Sequence, residues 1–398
     1  MNSAVLKFGS KKKNRGALTA IDLFCGAGGL SEGFRQAGFR ILVGNDVDKF
    51  AAATYKRTHE EAVFLPQPIE KLSANDFLRA ARLKRGELDC LIGGPPCQAY
   101  SVYNHQRGFR DKRSKLFLEY LRIVEGVNPK WVVLENVTGI MSLGGGRAVR
   151  EITEGLRELG YNVETRVLRA EDYGVPQERR RFFFVGNRIG APILWPEVTH
   201  GPNLIPFVNV WDAIGDLPRL SNGETPNKPL SYRAPANCDF QKYARVKETE
   251  ITNHAAPRLA PINLDRMKFI PEGGSWRDIP HRLLPAGMRK ARRCDHTKRY
   301  GRLAKTGLAS TILTKCDLHW GAFIHPTQDR ILTVREAARL QTFPDWFSFE
   351  GPRTEQYVQV GNAVPPVLGR RLAEALFFGR QSSVKTETTQ LKELRLAV

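Results

Sequence analysis

The chain has 398 residues, with 61 lysines and arginines against 41 aspartates and glutamates, so its formal net charge is +20. A composition that is 41% hydrophobic and 26% charged excludes wholesale disorder, and the length suffices for roughly two to three domains. No apolar run approaches the ~18 residues of a membrane span, the N-terminus lacks the apolar stretch of a secretory signal, and the six cysteines form no CxxC pair. We therefore expect a soluble cytoplasmic protein whose charge favours polyanionic partners.

The first half of the chain alternates short apolar runs with helical patterns. Strands are predicted at 20–24, 41–44, 87–92, 130–134 and 182–185, and helices through 30–37, 49–57 and 116–127. Apolar strands that do not alternate with polar residues, separated by helices, predict an α/β fold with a mostly parallel sheet covered on both faces.

The second half of the chain differs in composition and in its hydrophobic pattern. Prolines, asparagines and glycines multiply from residue 192, and helical patterns resume at 333–341, as an amphipathic helix, and at 364–377. We predict a basic tail at 1–17, a first domain at 18–191, a loop-rich domain at 192–330, helices at 331–380 that complete the first domain, and a polar tail at 381–398. Basic residues crowd 281–305, which indicates either a solvated face or a surface for a phosphate backbone.

A glycine-rich loop follows the first predicted strand. Residues 22–29 read DLFCGAGG, and an open parallel sheet binds its ligand at this edge. The loop favours a nucleoside cofactor, with Asp46 after the second strand on the ribose hydroxyls. The spacing is not GxGxxG, which disfavours a dinucleotide, and a turn that only packs strand against helix is the alternative.

A second candidate loop follows the third predicted strand. Residues 93–101 read GGPPCQAYS, and two prolines hold Cys97 as a nucleophile would need to be held. Cysteine is more often a small buried hydrophobe, which is our prediction for Cys25 and Cys90. Glu135 ends the next strand, where burial would raise its pKa, and Arg179 and Arg181 project to one face before another strand.

These segments, in this order, resemble the cytosine-5 DNA methyltransferases of bacterial restriction–modification systems. The resemblance runs through six motifs and covers most of the chain: 22–34, 93–101, 135–137, 177–181, 333–345 and 359–366. It implies an S-adenosylmethionine-dependent, Rossmann-like fold in which 192–330 is the target-recognition domain.

The resemblance also implies the reaction and its residues. The Cys97 thiolate adds to C6 of a flipped-out cytosine, Glu135 acts at N3, Arg181 binds O2 and Arg179 buttresses the loop. C5 then takes the methyl group of S-adenosylmethionine, leaving S-adenosylhomocysteine. The implied cofactor residues are Phe24, Gly26, Gly28, Asp46, Val47, Pro95 and Asn362, and the implied DNA contacts are Gln98, Ser101, Arg302 and Thr311.

One position departs from the family pattern. Pro68 aligns where many members have an aspartate on the adenine amino group, so either Glu70 takes that role or the contact is lost. Val47 stands where some members place an aromatic residue.

Several alternatives stay open at this point. They are an RNA-directed cytosine-5 methyltransferase, a silent DNA-binding regulator on the same fold, and a nicotinamide oxidoreductase. A zinc site from Cys294, His296, Cys316 and His319 is disfavoured because the spacing fits no common finger, so we expect no metal. We expect a nucleoid-associated monomer that acts on double-stranded DNA, without a membrane partner, beside a separately encoded endonuclease.

Overall fold

The structure is a computed structural model that describes residues 16–96 and 116–379, apart from 229, 248, 249, 293 and 296. Seven strands form one sheet in the order β3-β2-β1-β4-β5-β7-β6. Their bounds are β1 Thr19–Leu23, β2 Arg40–Asn45, β3 Val63–Leu65, β4 Cys90–Gly93, β5 Trp131–Val137, β6 Asn162–Arg169 and β7 Arg180–Asn187. The predicted, mostly parallel α/β sheet is confirmed, and among the described strands β7 alone runs against both of its neighbours.

Helices cover the sheet and complete the rest of the chain. The described ranges hold α1 Gly29–Gln36, α2 Lys49–Thr58, α3 Ala74–Ala81, α4 Leu116–Val127, α5 Arg147–Glu158, α6 Val210–Ile214, α7 Asp239–Ala244, α8 Pro261–Met267, α9 Val334–Leu340, α10 Arg353–Asn362 and α11 Pro366–Phe378. None of these helices is long and apolar enough to span a bilayer.

Alternate residues of the central strands enter two separate cores. Ala20 and Cys90 pack with α1 and α11 on one face, whereas Ile21 and Leu91 pack with α3, α4 and α5 on the other. Because both faces are buried, the strands carry uninterrupted apolar runs, which is the pattern that made them predictable. Cys25 and Cys90 are both buried, as predicted.

The loop-rich region packs in two parts. One apolar cluster lies within residues 267–331, whereas residues 210–251 share a cluster with α9 and α10. The second cluster crosses residue 330, so hydrophobic packing joins this region to the C-terminal helices. The domain boundaries given above stay a prediction.

The helix α9 has the predicted amphipathic pattern, but its polar side is buried as well as its apolar side. All seven of its residues are buried, including Arg335, Glu336 and Arg339. The Arg339 guanidinium donates to both carboxylate oxygens of Asp345, at 2.7 and 2.6 Å. The Glu336 carboxylate accepts two hydrogen bonds from the Arg330 guanidinium, at 2.8 and 2.7 Å. Arg335, Glu336 and Arg339 lie on one side of the helix, and this side can be buried because each charge has an opposite partner.

Candidate active site

The carboxyl ends of β1, β2, β4 and β5 meet at one edge of the sheet, where a tight turn follows β1. Phe24, Gly26 and Gly28 have φ values of 56°, 53° and 94° in this turn, and Gly28 caps α1. The left-handed backbone folds the chain back sharply, and a Cβ built on Gly26 meets no atom within 4 Å. The turn therefore leaves an open cradle above Gly26.

Asp46 lies beside this cradle. Its Oδ2 accepts from the Gly26 amide at 2.8 Å, and its Oδ1 accepts from the Asp48 amide at 2.9 Å. Burial raises the pKa of the Asp46 carboxyl, and these amide hydrogen bonds oppose the rise. A carboxylate has about four acceptor positions, so two remain for the hydroxyl groups of a ribose. Val47 follows with 65% of its surface exposed, an unusual exposure for an apolar residue that would suit an adenine ring.

The turn at Asn362 lies against the start of α1, next to the cradle. Asn362 ends α10 and is exposed, and a Cβ at Gly29 would collide with the Val364 carbonyl oxygen. The Asn362–Val364 turn therefore packs against the start of α1. These groups suit S-adenosylmethionine: a ribose acceptor, an apolar face and an open glycine turn.

A side chain at Gly28 would disturb this turn in two ways, through backbone strain and through contacts with its neighbours. A Cβ there would lie 2.6 Å from Cε1 of His59 and 3.0 Å from Cδ2 of Tyr55, in a left-handed conformation. We expect Gly28→Ala to lower the free energy of unfolding by about 2–4 kcal/mol, from backbone strain plus overpacking. Urea unfolding measures the loss. Gly38→Ala is the matched control, because Gly38 has a φ of 101° with nothing within 4 Å of its built Cβ and carries only the strain. Equal losses in the two variants would show that the packing argument is wrong.

Glu135 and Arg181 face each other across β5 and β7. The Arg181 Nε lies 2.6 Å from the Glu135 Oε1, and each side chain is only 11% exposed. A Cβ built on Gly94 would lie 3.0 Å from the Glu135 Oε2, so the backbone after β4 approaches the carboxylate closely. The neighbouring Asn136 Nδ2 donates to the Pro95 carbonyl at 3.4 Å. Glu135 thus borders the loop that leads to residue 97.

The protonation of Glu135 follows from its burial. Desolvation raises the pKa of this carboxyl, while the positive charges of Arg181 and Arg179 oppose the rise. A carboxyl group whose pKa is raised is easier to protonate near neutral pH, as a group that acts on a ring nitrogen requires.

Arg179 is a junction between distant parts of the chain. Its Nη1 donates to the Ile312 carbonyl at 3.1 Å, and its Nη2 donates to the carbonyls of Gly361 at 2.8 Å and Ala363 at 2.9 Å. The carbonyls on both sides of Asn362 are therefore fixed by a residue that also holds the segment after Thr311. The predicted role of Arg179 as a buttress is compatible with these contacts.

Gln177 shares this junction, and our sequence reasoning did not single it out. Its Nε2 donates to the Leu340 carbonyl at 2.7 Å, and its Oε1 accepts from the Ile312 amide at 3.1 Å. Gln341 extends the network to the carbonyls of Val360 at 2.8 Å and Ala363 at 3.0 Å. The available signal was that Gln177 stands within the 177–181 motif, whereas nothing local marks Gln341.

A polar cleft of about 400 Å³ opens beside the Glu135–Arg181 pair. Thr311 lines it and donates through its hydroxyl to the Glu178 carbonyl at 2.5 Å. The predicted DNA contact at Thr311 therefore lies at the rim of the candidate active site. The cleft is lined by Thr138, Arg169, Glu171, Glu178, Arg180, Arg181 and Thr311.

Arg302 lies elsewhere, and the structure favours a structural role over the predicted DNA contact. The residue is only 8% exposed. A guanidinium whose donors all bind the protein interior has none left for DNA. Its nitrogens donate to the carbonyls of Ile270, His325, Gln328 and Met267 and to the carboxylate of Asp329, at 2.6–3.2 Å.

The adenine contact stays open. The Asn45 Nδ2 fixes the segment before Pro68 by donating to the carbonyls of Leu65 and Gln67 at 2.8 and 2.9 Å. Pro68 and Glu70 are both exposed, so Glu70 stays available for the role.

The predicted zinc ligands lie in different environments. Cys316 is buried, which raises the pKa of its thiol, whereas Cys294 is exposed. His319 bonds to Asp317 and to the Tyr300 hydroxyl. Over the described residues, no three potential ligands converge on a metal position. Cys97, Gln98, Ser101 and His296 lie outside the described residues.

A mainly parallel seven-stranded sheet, with a glycine turn and an aspartate at its carboxyl edge, is the architecture of the S-adenosylmethionine-dependent methyltransferases. A solved structure of a putative DNA modification methyltransferase from an E. coli prophage has this fold, with a TM-score of 0.73 and 24% identity over 91% of this chain and 99% of that one. DNMT2 of Spodoptera frugiperda is similar in fold at a TM-score of 0.57, with 16% identity over 91% of this chain and 100% of that one.

The sequence comparisons give the family. The model of C-5 cytosine-specific DNA methylases matches residues 18–377. The type II methyltransferase M.AgeI of Thalassovita gelatinovora is 34% identical over 90% of this chain and 99% of its own length. The type II methyltransferase M1.HphI of Haemophilus parahaemolyticus is 36% identical over 90% of this chain and 87% of its own length. The chain belongs to the C-5 cytosine-specific DNA methylase family.

The family settles the alternatives left open by the sequence. The protein is a DNA cytosine-5 methyltransferase of the restriction–modification type, it acts on DNA and it uses S-adenosylmethionine, as predicted. The RNA-directed enzyme, the silent regulator and the nicotinamide oxidoreductase are set aside.

Proposed function

We propose that the protein methylates a flipped-out cytosine, with Cys97 as the nucleophile and Glu135 and Arg181 as the groups that hold the ring. The single observation that carries this proposal is the buried Glu135–Arg181 pair, at 2.6 Å, beside the loop that leads to Cys97. A donor-rich crevice of this kind can hold both N3 and O2 of one pyrimidine.

Each protein group has one task in the proposed reaction. The Cys97 thiolate forms a bond to C6, and the electron pair of the C5–C6 double bond moves so that C5 becomes nucleophilic. Glu135 gives a hydrogen bond or proton to N3, and Arg181 binds O2, which together draw negative charge off the ring. S-adenosylmethionine supplies the electrophilic methyl group that C5 accepts. Loss of the C5 proton to a base then restores the double bond and expels the thiolate.

The cofactor site is the cradle at the carboxyl edge. Asp46 would hold the ribose hydroxyls, Val47 and Phe24 would lie against the apolar parts, and Asn362 would close the pocket. Gly26 and Gly28 would permit the close backbone approach, and Pro95 would border the methyl group. The open space above Gly26 and the two spare acceptor positions of Asp46 support this assignment.

The target base is inaccessible inside a duplex, so it must be extruded at a cost of a few kcal/mol. We propose that Gln98, Ser101 and Thr311 contact the DNA around the extruded nucleotide, and that the basic residues of 281–305 contribute backbone contacts. We further propose a nucleoid-associated monomer with domains bounded as given above, no bound metal, and a separate endonuclease that cleaves the unmethylated site.

Bisulfite sequencing of host DNA tests the function directly. We expect expression in a host that lacks cytosine-5 methylation to protect one cytosine from conversion within one short recurring sequence. The same host with a Cys97→Ala variant is the control. Protection confined to RNA, or no protected cytosine in any context, would contradict the proposal.

A further inference from the structure

The cleft beside Glu135 has more positively charged than negatively charged side chains in its lining. Three arginines line it: Arg169, Arg180 and Arg181. Arg169 lies 3.0 Å from the Glu171 carboxylate, and Arg181 lies 2.6 Å from that of Glu135. Two of the three cations are thus neutralised by an adjacent carboxylate.

The remaining acidic group of the cleft is also occupied. Glu178 is exposed, and its Oε2 accepts from the Nζ of Lys298 at 2.7 Å. The negative charge of Glu178 is therefore already balanced by Lys298, a residue of the predicted target-recognition domain. The cleft offers no carboxylate that is free to pair with Arg180.

Among the described residues, Arg180 is the one arginine in the lining of this cleft that has no carboxylate next to it. Its side chain is exposed at the start of β7, and within the part of the chain that the structure describes its guanidinium makes neither a hydrogen bond nor an ion pair. Its charge reaches Asp172 only as a longer-range influence that opposes the raised pKa of that carboxyl. All five of its N–H donors are available to a ligand.

The strand register adds a second, independent observation. Arg180 stands directly opposite Arg169 in the β6–β7 ladder, and both side chains line the cleft. Like charges in directly opposed positions destabilise a sheet. Glu171 and Asp172, at 3.0 and 3.8 Å from Arg169, offset part of this repulsion, and an anion bound at Arg180 would relieve the rest.

We propose that Arg180 binds a backbone phosphate of the target strand at the mouth of this cleft, next to the extruded nucleotide. The inference rests on the proposed function, which places the cytosine against Glu135 and Arg181. A guanidinium pairs with phosphate through parallel N–H···O bonds, and such contacts fix the register of DNA without reading its sequence.

The salt dependence of DNA binding tests this assignment. We expect Arg180→Gln to weaken binding to target and non-target duplexes alike and to reduce the slope of log K against log salt by about 0.9. The ratio of the variant's Kd to the native Kd then shrinks about 3.5-fold between roughly 50 and 200 mM salt. We also expect the KM for DNA to rise more than kcat falls, and Arg180→Lys to recover the salt slope.

Arg40→Gln is the matched control. Arg40 is also an exposed strand residue, but it begins β2 at the opposite edge of the sheet, so its slope should equal that of the native protein. An unchanged slope in Arg180→Gln, or a loss confined to the target duplex, would overturn the phosphate assignment. Failure of the proposed function would look different, because the native protein and the control would then also fail to methylate DNA.

Discussion

Replacing Cys97 with serine is expected to abolish methyl transfer, with a loss of turnover of about 10³-fold or more. A serine hydroxyl stays protonated near neutral pH and is a far weaker nucleophile than a thiolate, so addition at C6 fails. DNA affinity should change little, because serine is close to cysteine in volume and the substitution removes no cation that could contact a phosphate. Incorporation of tritiated methyl groups measures turnover, and a gel shift measures affinity.

Two comparisons make this result specific. Cys294→Ser changes another thiol, which is exposed and lies in the predicted target-recognition domain, and should leave turnover unchanged. A duplex with 5-fluorocytosine at the target should trap a covalent complex through residue 97 in the native protein and none in Cys97→Ser. Near-normal turnover in Cys97→Ser would exclude covalent addition by this residue.

Glu135→Gln is expected to lower kcat by about 10²–10⁴-fold while DNA affinity stays within a few-fold. The amide is close in shape to the carboxyl group, but it cannot take up or release a proton at N3. It also leaves the buried Arg181 without its counter-charge, so part of the effect falls on stability. Urea unfolding of the variant separates this contribution from the catalytic one.

Glu178→Gln is the matched control for Glu135→Gln. It removes a carboxylate from an ion pair in the same cleft, but both partners, Glu178 and Lys298, are more than half exposed. We expect at most about 1 kcal/mol in stability and a far smaller change in kcat. Parallel losses of turnover and DNA affinity in Glu135→Gln would show that Glu135 acts in binding rather than in chemistry.

The catalytic half of the fold follows from local pattern. The predicted helix over 116–127 coincides with α4, and the strand prediction at 20–24 differs from β1 by one residue at each end. These elements bury unbroken apolar runs or one apolar stripe, so their type depends on residues close in sequence. Glu135 was also identifiable, since it follows the predicted strand 130–134 and parallel topology brings the carboxyl ends of such strands together. Arg181 lies at the start of β7 and reaches the same edge because β7 runs antiparallel to β5, a direction that the sequence pattern did not predict.

The roles of the other arginines depend on partners that are far away in sequence. Arg179 donates to carbonyls 133 to 184 residues away in the sequence. Arg302 donates to the carbonyls of Met267, at the end of α8, and Ile270, which lie more than 30 residues before it. A guanidinium has the same donors whether it meets a phosphate or a buried carbonyl, so its residue type cannot distinguish the two. For the same reason, the sequence did not show that the polar side of α9 is buried.

The sequence by itself determined the α/β order, the glycine turn, the choice of Cys97 and Glu135 as candidate residues, and the family, because short apolar periods and contiguous motifs encode them. Only the tertiary structure decided that β7 is antiparallel to its neighbours and that Arg302 is buried. It also decided that, among the arginines that line the cleft, Arg180 is the one whose guanidinium has no hydrogen bond or ion pair to the described residues. The physical reason is that burial and charge pairing belong to groups brought together by folding, and their energy is set by surroundings that a linear pattern does not specify.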